Sequence, residues 1–191
     1  MQIEYEATFP KINKEEIKTK LKLAGAKLIR KEYLQKRIVF HLPKGNEIKG
    51  GWLRVRDEGD KVTMSLKVVD GDQIHNQKEI CIQVDSLEKG EAFLTGIGCE
   101  KKAYQENKRE LWNLNDVEIT IDEWPFLEPY LEVEGLSEEK VKETCLKLGL
   151  DYNTAIFCST DTLYSQKYNL PNDRINNQTP RIAFGENNPF Q

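Results

Sequence analysis

The feature that most constrains this chain is a period of two. In Trp52-Leu53-Arg54-Val55-Arg56 the two arginines fall on one side of an extended chain and Leu53 and Val55 on the other. The same alternation sets Glu4 and Glu6 against Ile3, Tyr5 and Ala7, and Thr63, Ser65 and Lys67 against Val62, Met64, Leu66 and Val68. Further along, Glu118, Thr120 and Asp122 oppose Val117, Ile119 and Ile121, while Glu132 and Glu134 oppose Leu131 and Val133. A chain written this way makes strands with two chemically different faces, and the pattern predicts them over 2–9, 33–42, 51–57, 61–69, 77–85, 103–113, 116–123 and 130–135. Turn residues at 57–60 and 113–116 join neighbouring strands into hairpins.

Three stretches have helical spacing instead. Asn13 precedes a run with Ile17, Leu21 and Ala24 on one side, and Glu16 completes a capping signal. A second helix starts near Ser86, and a third runs from Ser137 to Leu148 with Val141 and Cys145 on its apolar face. Three helices are too few for a helical domain. They suffice to cover the apolar side of a curved sheet, giving an α+β fold. From Tyr168 onward Asn and Pro accumulate, and 166–191 reads as an irregular tail, laid over the domain or mobile.

Composition excludes several function classes. With 28 bases against 32 acids the formal charge is −4, so nothing global attracts double-stranded nucleic acid or an anionic membrane. No window approaches the ~20 apolar residues of a membrane span, and Met1-Gln2-Ile3-Glu4 is no secretory leader. These features read as a cytoplasmic protein, with Cys81, Cys99, Cys145 and Cys158 as reduced core thiols. The only histidines, His41 and His75, read as surface or loop residues, and the spacings of a zinc site, a dinucleotide or Walker loop and a serine nucleophile elbow are all missing. Chemistry here falls to carboxylates, lysine and arginine.

An antiparallel sheet with one solvated polar face would explain the alternation. A closed or nearly closed barrel with charges inside and helices outside explains it too, and also why like charges are paired on single strands. In such a barrel, carboxylates without His or Cys suit a hard cation, Mg²⁺ or Mn²⁺. Arginine forks and a lysine suit phosphate oxygens. A phosphate chain carrying a divalent metal satisfies both walls.

The motifs Glu4-x-Glu6, Leu53-Arg54-Val55-Arg56, Ser65-Leu66-Lys67 and Ile121-Asp122-Glu123…Leu131-Glu132-Val133-Glu134, in this order, resemble the CYTH domain of the triphosphate tunnel metalloenzymes. The resemblance covers residues 1–165 and implies an eight-stranded antiparallel β-barrel with helices packed outside. It further implies that Glu4, Glu6, Glu132 and Glu134 face the metal with Asp122 as a fifth carboxylate, and that Arg54, Arg56, Lys67 and Arg109 clamp the phosphates. Arg37 and Glu79 fall on inward faces by a looser match, and no catalytic residue is singled out. The implied partner is a triphosphate-containing small molecule, and the implied activity is metal-dependent hydrolysis of inorganic, nucleoside or thiamine triphosphate. The alternatives are a class IV adenylyl cyclase and a triphosphate-binding module with little turnover. Two positions depart from the family pattern: Thr8 stands where Glu-x-Glu-x-Lys has its lysine, and Asn107 stands where a base commonly precedes Arg109 by two. Each loss removes a cation from the phosphate wall. Trp52, Trp112 and Trp124 read as packing residues, Lys101-Lys102 as a solvated turn, and Ser159, Thr160 and Tyr164 as neighbours of a tunnel mouth.

Overall fold

A computed structural model describes residues 1–191. In chain order it contains β1 (Gln2–Ile3), β2 (Tyr5–Phe9), α1 (Lys14–Leu23), β3 (Lys27–Phe40), β4 (Gly51–Asp57), β5 (Val62–Val69) and β6 (Gln77–Val84). These are followed by α2 (Leu87–Gly96), β7 (Lys101–Leu114), β8 (Val117–Glu123), β9 (Tyr130–Gly135), α3 (Glu138–Lys147), α4 (Thr160–Tyr168), α5 (Asn172–Asn177) and β10 (Arg181–Ile182).

The sheet runs β1-β6-β5-β4-β3-β7-β8-β9-β2, antiparallel throughout. Its two ends are halves of one segment that breaks at Glu4. On one side Gln2 pairs with Glu79 and Ile3 with Lys78; on the other, Tyr5 to Phe9 pair with Gly135 to Leu131. The Glu4 N–H donates to the Gln77 carbonyl at 2.9 Å, and the Gln77 side-chain amide donates to the Glu6 carbonyl at 2.8 Å. The first strand thus reaches both edges and nearly closes the sheet into a barrel, eight strands around if its halves are taken as one.

The alternation decides which face turns inward. Ala7, Phe9, Trp112, Ile119, Leu131 and Val133 point outward and are buried under Ile17 and Leu21 of α1 and Val141 and Cys145 of α3. A second outer cluster places Leu94 of α2 on Ile38, Phe40 and Val55. The caps follow the sequence: Asn13 Oδ1 accepts from the Glu15 and Glu16 N–H groups, Ser86 Oγ from Lys89 and Ser137 Oγ from Lys140. Glu16 does not complete a capping box; its carboxylate pairs instead with Lys20 one turn on, at 3.0 Å.

Gly90 is the point where α2 comes closest to the barrel. A Cβ there would lie 2.6 Å from Cγ1 of Val55, a fully buried residue between Arg54 and Arg56. Gly90→Ala is therefore expected to destabilise the protein by about 1–2 kcal/mol, because overpacking outweighs the gain in helix propensity. Urea unfolding checks this; a midpoint equal to or above wild type would show that α2 lifts off freely.

Several expectations change. β3 begins six residues before the predicted 33, and register shifts at Leu28/Arg30 and Arg30/Tyr33 explain why its first part does not alternate. Lys101 and Lys102 open β7 rather than a turn: Lys101 pairs with Glu91, and Lys102 donates to Asn176 at 2.9 Å. Cys81 is exposed and Cys158 half-buried, so only Cys99 and Cys145 are core thiols. Where composition predicts an irregular tail, 166–191 holds the end of α4, α5, and β10 paired parallel to β7. This segment is anchored by a third cluster of Trp124, Tyr130, Leu163, Tyr164, Ile175, Ile182 and Phe190. No helix is long and apolar enough to cross a membrane.

Candidate active site

The barrel encloses a cavity of about 1060 Å³. Of the nine residues singled out for metal or phosphate, Glu4, Glu6, Arg54, Arg56, Lys67, Arg109, Glu132 and Glu134 line it. Asp122 does not. It is fully buried behind Arg109, which bonds it through Nε at 3.0 Å and Nη2 at 2.9 Å. Asn107 Nδ2 and Thr120 Oγ1 also donate to Asp122, at 2.6 and 2.7 Å. Asp122 therefore orients an arginine rather than facing the cavity.

Strand register sorts the remaining charges into walls. Glu134 lies opposite Glu6 on β2 and Glu118 on β8, and Glu132 lies opposite Thr8 and Thr120, which makes one wall carboxylate-rich. Arg54 and Arg56 on β4, Lys67 on β5 and Arg37 on β3 form the other. Ion pairs tie cavity bases to carboxylates at Lys67–Glu4 (2.8 Å), Arg54–Glu79 (3.1 Å) and Arg109–Glu132 (2.6 Å), and Arg56 holds Glu58 at 2.7 Å. Glu6 and Glu134 take part in none of these pairs.

Protonation reflects this crowding. Burial pushes the Glu4 carboxyl up to about 7 despite the ammonium of Lys67 beside it. Glu6 is raised well above the carboxylate range by burial and then by Glu132 and Glu134. Glu132 is raised by burial and by Asp122, and Glu118 by burial. On the basic wall, burial and the neighbouring Arg56 lower Arg54 to about 10. Burial is the largest influence on Lys67 and Arg109 and works against their charge, but Glu4, Glu79 and Glu6 together outweigh it for the first, and Asp122 with Glu132 for the second, so both are raised. Buried carboxylates that repel one another are an oxygen donor set for a hard divalent cation, in a cavity that His41 and Cys158 also line. They fit by chemistry, although no three His, Cys, Asp or Glu side chains are drawn together into a ready cage.

The cavity is also lined by residues that the charge pattern does not mark. Trp52 shares the face of Arg54 and Arg56, and Tyr130 that of Glu132 and Glu134, so parity alone would have placed both inside. Trp52 and Trp124 line the cavity, leaving only Trp112 of the three indoles as an outer packing residue. His41 and Lys102 also reach the cavity, as do Ser159, Thr160 and Tyr164 from the segment beyond β9. No periodicity marks that last group, because chain topology brings it back to the barrel.

The sequence matches the model of the CYTH domain over residues 2–156. The chain belongs to the CYTH family. Its fold is similar to that of the PH1012 protein of Pyrococcus horikoshii, at 22% identity and TM-score 0.68, covering 84% of this chain and 98% of that one. It is similar also to a proposed adenylate cyclase of Vibrio parahaemolyticus, at 13% identity and TM-score 0.74, covering 86% and 98%. A third similar structure is a proposed adenylyl cyclase from Hippeastrum with a dominant triphosphatase activity, at 13% identity and TM-score 0.55, covering 88% and 98%. A comparison with the curated proteins found no match.

Within this CYTH barrel the two departures have distinct settings. Thr8 is buried and exchanges backbone hydrogen bonds with Ile156 at 3.0 and 2.9 Å. Asn107 is wholly buried; its amide donates to Asp122 and its carbonyl accepts from Arg37.

Proposed function

We propose that this CYTH protein hydrolyses a triphosphate-containing substrate with Mg²⁺ or Mn²⁺. The observation that carries the reading is one cavity with a cationic wall of Arg54, Arg56 and Lys67 opposite a carboxylate wall of Glu6, Glu132 and Glu134. The arginine forks and Lys67 hold phosphate oxygens, and Arg109, fixed by Asp122, adds a further donor. Glu4, Glu6, Glu132 and Glu134 would hold the cation, which would supply charge neutralisation and Lewis-acid polarisation at the phosphates. A carboxylate of the same wall accepts the proton of the attacking water. The barrel wall keeps bulk solvent from the electrostatic contacts.

The test is a panel of tripolyphosphate, nucleoside triphosphates and thiamine triphosphate with Mg²⁺ or Mn²⁺, analysed for phosphate, pyrophosphate and cyclic nucleotide together. Phosphate release that stops with EDTA is expected. Cyclic AMP with pyrophosphate from ATP would replace hydrolysis by cyclisation. The uncharged Thr8 favours a second reading, a binding module with little turnover, and tight binding without product would select it.

A further inference from the structure

Arg54, Arg56, Lys67 and Arg109 each have a carboxylate within 3.1 Å; Arg37 has none. Arg37 is 6% exposed and lines the cavity from β3. Its Nη2 donates to Gln35 Oε1 at 3.0 Å and to Asn107 Oδ1, and its guanidinium lies 4.5 Å above the ring of Trp124. Its Nε–H is buried without an acceptor, and so is the indole N–H of Trp124, which lines the same cavity.

This arrangement is unfavourable in the protein alone. Arg37 sits directly opposite Arg56 in the β3–β4 register, and like charges facing each other across a ladder repel. Burial, followed by Arg54, Arg56 and Arg109, depresses its pKa well below the arginine range, yet a guanidinium stays charged in proteins. A buried cation with an idle donor, beside a second idle donor, is satisfied by an anion. Position 107 on β7, where a base precedes Arg109 in the family pattern, holds an amide here, and Arg37 reaches that amide from the neighbouring strand.

We propose that Arg37, seated on Trp124 and tied to Asn107, binds a phosphate oxygen of the ligand and supplies from β3 the positive charge that Asn107 lacks on β7. The proposal rests on the triphosphate reading above and adds an arm to the clamp.

Calorimetric titration of inorganic tripolyphosphate with Mg²⁺ into the full chain tests it, alongside thermal unfolding with and without that ligand. Arg37→Gln is expected to weaken binding about ten- to a hundredfold, the range for losing a charge-assisted hydrogen bond. The same variant without ligand should unfold at or above the wild-type temperature, because an uncompensated buried charge is gone. Arg37→Lys, which keeps the charge without the fork, should bind several-fold more weakly than wild type. Arg37→Gln with Asn107→Lys should regain most of the affinity. Binding by Arg37→Gln and Arg37→Lys within twofold of wild type overturns the proposal while leaving the triphosphate reading intact. So does a lower ligand-free unfolding temperature with lost affinity that Asn107→Lys does not restore, since that is a structural role. A wild-type protein that binds neither tripolyphosphate nor ATP overturns the triphosphate reading itself, and this proposal with it.

Discussion

Arg109→Met is expected to lower triphosphate turnover by about 10²–10³-fold, the scale for losing one preorganised donor to a developing charge, and to destabilise the fold by about 3 kcal/mol. The second figure comes from what stays behind. Arg109 is the only cation on Asp122, which has no solvent exposure, and it also holds Glu132 at 2.6 Å. Breaking a buried pair by removing one partner costs about 3–5 kcal/mol. The low end applies because Asn107 and Thr120 still donate to the orphaned Asp122. Arg109→Lys keeps the charge but cannot reproduce the fork that reaches both oxygens of Asp122, so it should recover stability in part and turnover hardly at all. The decisive comparison is Arg109→Met with Asp122→Asn, which should regain much of the lost stability and none of the activity. Urea midpoints and phosphate release measure the two effects separately. A wild-type urea midpoint for Arg109→Met would mean that Asp122 does not depend on its arginine.

The prediction concerns a contact that the sequence could not supply. Arg109 and Asp122 each have the right parity for the interior, but parity does not say that one stands in front of the other. Alternation determines which face a residue takes, and for that reason Glu6, Arg54, Arg56, Lys67, Glu132 and Glu134 were legible before any coordinates. The barrel was legible on the same ground, since two-faced strands with helices to spare have few other solutions. Its closure was not: the break at Glu4, which sends one half of a strand to β6 and the other to β9, leaves no mark on the pattern. Arg37 was readable as inward-facing, but its lack of a counter-ion is a property of four strands together. Residues 166–191 read as irregular because their apolar residues, Ile175, Ile182 and Phe190, follow no single period; they converge with Leu163 and Tyr164 on Trp124 and Tyr130 only after the chain turns back.

The carboxylate wall makes a second large effect, in the response of the metal-free protein to pH. Glu4, Glu6, Glu118 and Glu132 all have folded-state pKa values raised chiefly by burial, Glu4 to about 7. A carboxyl raised in this way binds its proton more tightly folded than unfolded, so its contribution is full below the unfolded pKa, about 4.3 for glutamate, and is lost as pH rises through the folded value. The exposed His41, whose pKa is lowered by burial, has the opposite sign, but solvent screens it. Glu79 also has the opposite sign: burial opposes its charge, but Lys67 and Arg54 hold its pKa down, so its contribution disappears only under acid, outside this window. With EDTA, the unfolding temperature should therefore fall between about pH 5 and pH 8, Glu4 alone accounting for on the order of 3 kcal/mol. Mg²⁺ or Mn²⁺ favours the ionised carboxylates and displaces their protons, so its stabilisation should grow over the same range and close most of the gap. Glu6→Gln should raise the unfolding temperature in EDTA at high pH and shrink the shift on adding metal. Calorimetric scans across this range, with and without cation, read both effects. An unfolding temperature in EDTA that climbs with pH would show that the wall carboxylates are already neutralised by Arg54, Lys67 and Arg109, and that the cavity has no need of a cation.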